Sequence, residues 1–262
     1  MKGLISKIVK PITKPLVGGL LATALVFSPL TSFAKEKKWD GYFETAVNTN
    51  YISGSVGCAI GRKNPEKKGG VIQNYLEISK DVGKGNFTAF GWNSYDVEDG
   101  ELHEVDVGIK YSRPLTENVS GYIGITRWNY PSKLLGNKPD DAFEAGLSFN
   151  LPSDLKFNVD IDYIYGGFWK NGFDIKGSVS KNIFQKDNLF GKGINFSITP
   201  KIQAYFLKDF YTFDGVRNVT AETSVNFSKG NWNLGIKGNY QKGTKGDVRN
   251  IFYYGASLGY AF

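Results

Sequence analysis

From Asp40 onward the chain alternates apolar and polar residues in stretches of about ten. The stretch 194–206 is the plainest. Ile194, Phe196, Ile198, Pro200, Ile202, Ala204 and Phe206 share one phase; Asn195, Ser197, Thr199, Lys201 and Gln203 share the other. Stretches 155–165, 217–228 and 232–241 repeat the pattern, and no helical period competes with it. A period of two over this length predicts a strand with one greasy and one wet face. Roughly twelve strands are expected, near 41–52, 71–80, 86–94, 102–112, 119–130, 142–150, 155–165, 173–182, 194–206, 217–228, 232–241 and 249–262. Connections 80–85, 112–118, 150–154 and 228–231 are short and built on Pro, Gly, Asn and Asp. Those at 53–70, 131–141 and 207–215 are longer, and 183–193 is expected as a long loop where the alternation calls for a short turn.

Two all-β architectures fit such a pattern, a soluble sandwich or lipocalin-like fold and a membrane barrel. Strands of ten or more residues suit a tilted bilayer crossing, whereas soluble strands usually run to about 5–6. Aromatics fall at the ends of the apolar faces, as Tyr163 and Tyr165, Trp232 and Tyr240, and Tyr260 and Phe262 do. Amphipathic rings sit well at headgroup level, so this placement favours the membrane. The expectation is therefore a single all-β domain, an antiparallel transmembrane β-barrel of about twelve strands. An even strand count places both chain ends on the side of the short turns.

The N-terminus reads as an address. Residues 1–14 carry Lys2, Lys7, Lys10 and Lys14 and no acid; 15–30 is small and apolar; Ser32 and Ala34 occupy the small-x-small positions of a cleavage site. Residues 1–34 are expected to be a cleavable secretory signal, leaving 35–262 as the barrel. Loss of four lysines and no acids takes the net charge from +7 to +3 and removes support for a nucleic-acid partner. One Cys (Cys58) and one His (His103) supply neither an intramolecular disulfide nor a four-ligand zinc site. No metal or cofactor is expected.

At the C-terminus, Phe252, Tyr254, Leu258, Tyr260 and Phe262 share one phase. This resembles the C-terminal assembly signal of outer-membrane barrels, which implies a barrel-assembly machinery, a secretion machinery, and outer-membrane lipid and lipopolysaccharide as partners. The first half shows a narrower resemblance. Thr49-Asn50-Tyr51-Ile52-Ser53-Gly54-Ser55 is followed in order by Lys63-Asn64-Pro65, Phe90-Gly91-Trp92-Asn93-Ser94, His103-Glu104-Val105-Asp106, Asn129-Tyr130-Pro131 and Asn150-Leu151-Pro152. The run resembles the TorF-type porin family, with Ser53 where that family usually has Arg. The resemblance implies a barrel and a pore.

Candidate chemistry lies on the wet faces. Glu44, Glu104, Asp106, Lys110, Lys156, Asp160, Asp162, Asp174, Lys176, Lys201, Glu222, Lys237 and Arg249 are expected to line a lumen. With Glu77 and Glu144 they make nine acids against six bases, a mild cation bias. Strands 86–94 and 119–130 have ambiguous phase, so Arg127 stays outside that sum. Alternation of acids with Lys suits an ion-conducting wall better than an acid–base pair for hydrolysis. His103 runs in phase with Val105, Val107 and Ile109, on the greasy face, which argues against catalysis. The acidic run Asp96-Val97-Glu98-Asp99-Gly100-Glu101 lacks EF-hand spacing and reads as a solvated loop. Passive, weakly selective diffusion of small polar solutes or ions is the expected function. The alternative is a non-conducting barrel that binds a partner through its loops. A homo-oligomer is one arrangement the sequence leaves open.

Overall fold

The computed structural model describes residues 39–52, 59–60, 70–98, 100–131, 139–167, 170–210, 213–244, 248 and 250–262. The expected signal segment 1–34, Cys58 and Arg249 lie outside the described residues. Fifteen strands follow one another, and among the described residues there is no helix. They are β1 (Asp40–Asn48), β2 (Tyr51–Ile52), β3 (Ala59–Ile60), β4 (Val71–Val82), β5 (Gly85–Asp96), β6 (Leu102–Pro114), β7 (Val119–Asn129) and β8 (Asp140–Leu151). Then come β9 (Leu155–Gly166), β10 (Phe173–Lys181), β11 (Phe184–Leu189), β12 (Ile194–Phe210), β13 (Phe213–Lys229), β14 (Trp232–Gly243) and β15 (Ile251–Ala261).

Twelve of them close into an antiparallel barrel, in the order β1, β4 to β10, β12 to β15 and back to β1. The seam pairs β1 with β15 from Tyr42 opposite Ala261 to Asn48 opposite Gly255. Beyond the last strand residue, Gly41 and Phe262 exchange both backbone hydrogen bonds, at 2.8 and 2.9 Å. Closure leaves no edge strand in the barrel, so each ladder N–H and C=O finds a partner in the wall. β2 and β3 form a separate two-stranded sheet, ending β1 earlier than the alternation through residue 52 predicts.

The stretch 183–193 corrects the sequence reading. After β10 the ladder slips by one residue, and β11 goes on pairing with the first third of β12, Phe184 opposite Ile198 and Leu189 opposite Ile194. β12 is long enough, at 17 residues, to hold β11 and β10 in succession along one edge. The connection then closes through a tight turn at 190–193, with Phe190, Gly191 and Gly193 at positive φ. This segment shows little alternation because Gln185, Lys186, Asp187 and Asn188 are consecutive polar residues. Likewise β12 and β13 run on through much of the expected loop 207–215. The tight turns at 83–84, 115–118, 152–154, 190–193 and 230–231 and both barrel termini share one side, here the turn side; the long connections form the loop side.

The outer face is apolar and exposed: Ile123 and Phe252 each show 66% of their surface. A surface of this kind is unstable in water and asks for lipid. Two rings of outward aromatics bound it. On the turn side Phe149 packs on Phe157, Phe196 on Phe227, and Trp232 on Tyr260, with ring centroids 4.7–5.8 Å apart. On the loop side Phe143 meets Tyr165 at 4.5 Å and Tyr163 meets Phe173 at 4.8 Å. Arg127 lies on this outer face near the loop side, its guanidinium donating two hydrogen bonds to the Asp141 carboxylate at 2.7 and 3.0 Å. An outward ion pair of this kind belongs at headgroup depth, because charge near the hydrocarbon midplane costs about 2–4 kcal/mol.

Seam closure makes a prediction. Deleting Tyr260–Phe262 removes the Gly41–Phe262 bonds, the Asn231 contacts to Ala261 and the Trp232–Tyr260 stack. The truncated chain should refold poorly into lipid vesicles, seen as loss of the fast-migrating species in unboiled gels. Phe262→Ala, which keeps the backbone pair, should retain that species.

Candidate pore lumen

The inner face follows from register. On β1, Tyr42, Glu44, Ala46 and Asn48 point inward together, and each ladder carries that phase to the next strand. Glu104, Asp106 and Lys110 of β6 share it, as do Lys156, Asp160 and Asp162 of β9 and Asp174 and Lys176 of β10. So do Lys201 of β12, Glu222 of β13 and Lys237 of β14. Glu77 of β4 and Glu144 of β8 belong to the same set. The interior file is therefore polar on every barrel strand that carries these residues.

Two ion pairs organise one wall. Lys176 Nζ lies 2.9 Å from Asp160 Oδ2, while Tyr122 on β7 donates to the other oxygen of Asp160 at 2.9 Å. Lys201 and Glu222 are direct ladder partners, joined at 3.0 Å. Both pairs border a cavity of about 520 Å³ that also touches Ser148, Asn158, Ser178, Gln203, Lys237 and Tyr253. Charge is unevenly shared around the barrel. β1 to β8 carry Glu44, Glu77, Glu104, Asp106 and Glu144 with Lys110, whereas β12 to β14 carry Lys201, Arg217 and Lys237 with Glu222.

Along the barrel axis the two halves differ. Toward the loop side the inward side chains of Glu104, Asp140, Asn218, Thr220 and Gln241 have essentially no exposed surface, and Trp128 and Tyr130 are buried among them. Toward the turn side, inward Asn158, Lys156 and Lys201 keep contact with solvent. Near the loop end of the β12–β13 hairpin, Lys208, Asp209 and Asp214 are exposed. There the Asp214 carboxylate accepts from Lys208 at 3.3 Å and, with Asp209 beside it, holds the Lys208 ammonium above its ordinary pKa.

Several inward residues escape a period-two reading. Arg217 is the extra residue where the β12–β13 register shifts, which turns it out of the phase of Val216 and Val219 and buries it, 7% exposed, within electrostatic reach of Asp174. Tyr42, Tyr75, Phe90, Trp92 and Tyr122 also face inward, although aromatic residues suggest lipid contact. One signal was available: Tyr42-Phe43-Glu44 and Tyr75-Leu76-Glu77 repeat the spacing of Tyr and Glu on strands that prove to be neighbours. Inward glycines make room for these rings. A Cβ on Gly108 would stand 2.5 Å from Phe90 Cζ, and one on Gly259 would stand 2.9 Å from Tyr42 Cζ. His103 is skipped by the ladder at the shift between Ser94 and Tyr95 and is not in the inner file.

The Asp160–Lys176 pair is water-accessible in part, so its coupling is that of a screened ion pair. A double-mutant cycle with Asp160→Asn and Lys176→Met should give about 1 kcal/mol, read from urea unfolding in vesicles.

No family model and no curated protein matches the sequence, so the likeness to TorF-type porins rests on its motifs alone. Solved structures do match in fold. The KdgM porin in complex with disordered oligogalacturonate superposes with a TM-score of 0.51 at 11% identity, covering 85% of this chain and 99% of that one. The COG4313 outer membrane channel from Pseudomonas putida F1 gives 0.52 at 9% identity, over 86% and 95%. LpxR from Salmonella typhimurium gives 0.51 at 8%, over 84% and 99%. The chain is thus similar in fold to outer-membrane barrels, porins and channels among them.

Proposed function

We propose that this chain is an outer-membrane channel through which small polar solutes and ions diffuse passively, with a mild preference for cations. The observation that carries the reading is a polar, charged interior, with a cavity of about 520 Å³, inside a closed twelve-strand wall whose outer face is apolar. No bond need be made or broken. Inward Ser, Asn and Gln replace part of a solute's hydration shell, and fixed charges steer ions by sign. The outer-membrane barrels that share the fold support the location, and the two aromatic rings support a bilayer fit. On this reading residues 1–34 are removed on export, lipid and lipopolysaccharide surround the barrel, and the terminal aromatic phase serves its assembly.

A second reading has its own support. The buried collar around Glu104, Asp140, Asn218 and Gln241 fits a lumen closed toward the loop side, with external loops that bind a partner. Planar bilayers separate the two. The refolded mature chain should show stepwise conductance, and a potassium chloride gradient should give a reversal potential of modest cation selectivity. Correctly folded protein that leaves the membrane silent would establish the closed barrel instead. The mature chain recovered from outer membranes should begin at Lys35, as read by intact-mass measurement.

A further inference from the structure

One part of the inner wall combines two chemistries that packing alone does not require together. Tyr42 and Glu44 of β1 lie opposite Glu77 and Tyr75 of β4, giving a checkerboard of ring and carboxylate. Each tyrosine hydroxyl donates to the carboxylate of its own strand, Tyr42 to Glu44 at 2.8 Å and Tyr75 to Glu77. Their ring centroids are 6.5 Å apart, and Phe90 continues the row 6.2 Å from Tyr75. Trp92 stands beside Tyr75 on the ladder, and Asp106 beside Trp92.

The electrostatics of this patch lean one way. Among the described residues neither Glu44 nor Glu77 carries an ion pair, in contrast to Asp160 and Glu222 on the other wall. The patch already holds one cation in the manner its chemistry suggests: Lys110 Nζ sits 5.6 Å from the centre of the Phe90 ring. An aromatic face attracts a cation through its quadrupole, most strongly a weakly hydrated organic one, and an adjacent carboxylate adds charge complementarity. A neutral sugar would stack on the rings and donate to the carboxylates, but only a cation also balances their charge. An anion would be repelled by them.

We propose that this wall of β1, β4 and β5 is a binding station for organic cations, small solutes that carry an alkylated ammonium or a guanidinium group. The station rests on the lumen being open to solutes and names the class of solute it would favour. Tyr42, Tyr75 and Trp92 offer ring faces, while Glu44 and Glu77 supply the opposing charge. The hydroxyl-to-carboxylate bonds hold each tyrosine beside its glutamate, so ring and charge act on one ligand group. Lys201 lies on β12, well round the barrel from β1, β4 and β5, which leaves the cation-binding side distinct.

The test is titration of the refolded barrel in detergent micelles with tetramethylammonium chloride, read by calorimetry, with sodium chloride and maltose as controls. Tetramethylammonium should bind saturably, and neither control should. Tyr75→Leu, and separately the double variant Glu44→Gln, Glu77→Gln, should each weaken binding about fivefold. Tyr75→Phe keeps the ring and should stay within about twofold of the native chain, which separates ring loss from misfolding. In bilayers, tetramethylammonium should block sodium current at the concentrations that saturate the micelle titration. A conducting barrel with no saturable binding, equal binding of maltose, or full affinity in a folded Tyr75→Leu barrel would overturn the station and leave the channel reading intact. Saturable, Tyr75-dependent binding by a barrel that does not conduct would uphold the station and sink the channel.

Discussion

The constraint on which this structure depends is that a backbone in hydrocarbon must satisfy its own hydrogen bonds. An open sheet cannot do so, because an edge strand presents a row of unpaired groups, each costing several kcal/mol away from water. The antiparallel ladder returns from β15 to β1 and is finished off by the reciprocal Gly41–Phe262 bonds. Closure then fixes the rest. Every strand has one face toward lipid and one toward the lumen, so a two-residue period in sequence becomes an inside and an outside in space.

That division places unusual demands on the interior. Charge excluded from the lipid face collects on the inner one, where carboxylates and amines are close enough to pair. Asp160 shows how the wall handles this, with one oxygen taken by Lys176 and the other by Tyr122. Glu222 meets Lys201 directly across the ladder. The β9–β13 wall, with its two ion pairs, borders the cavity, while among the described residues Glu44 and Glu77 on β1 and β4 carry no ion pair. On the proposed channel reading, a solute would pass between unlike surfaces, and net selectivity would arise from their difference rather than from a uniform ring of one sign. The ion pair that does face outward, Arg127 with Asp141, sits beside the loop-side aromatics, at the depth where charge is tolerated.

Much of this was legible in the alternation. All twelve barrel strands are visible as stretches of the alternation, two of them without an assignable phase, and four of the five turn-side connections as clusters of Pro, Gly, Asn and Asp. What the pattern missed has physical causes. β11 pairs through its backbone with a strand it reaches after a slip, and its consecutive polar side chains give no face to detect. Arg217 changes side because one inserted residue at a register shift breaks the phase of everything before it. Arg127 had no assignable side, because its strand alternates glycine and apolar residues with too few polar neighbours to fix the inward phase. The burial of the loop-side interior depends on how residues from many strands converge, which no single strand encodes.

The inner aromatics need a different account. On the outer face aromatic position follows from the bilayer, since rings at the two ends of the apolar band gain from the interface. No such gain exists inside. Part of the explanation is packing: Tyr42 lies against Gly259 and Phe90 against Gly108, rings filling the space that inward glycines leave. Packing accounts for a tyrosine at position 42, whose hydroxyl lies over Gly259, but it gives no reason for a glutamate two residues on. The repetition of Tyr-x-Glu on two neighbouring strands, in the antiparallel register that interlocks ring with carboxylate, is what the proposed cation station would account for and packing alone does not.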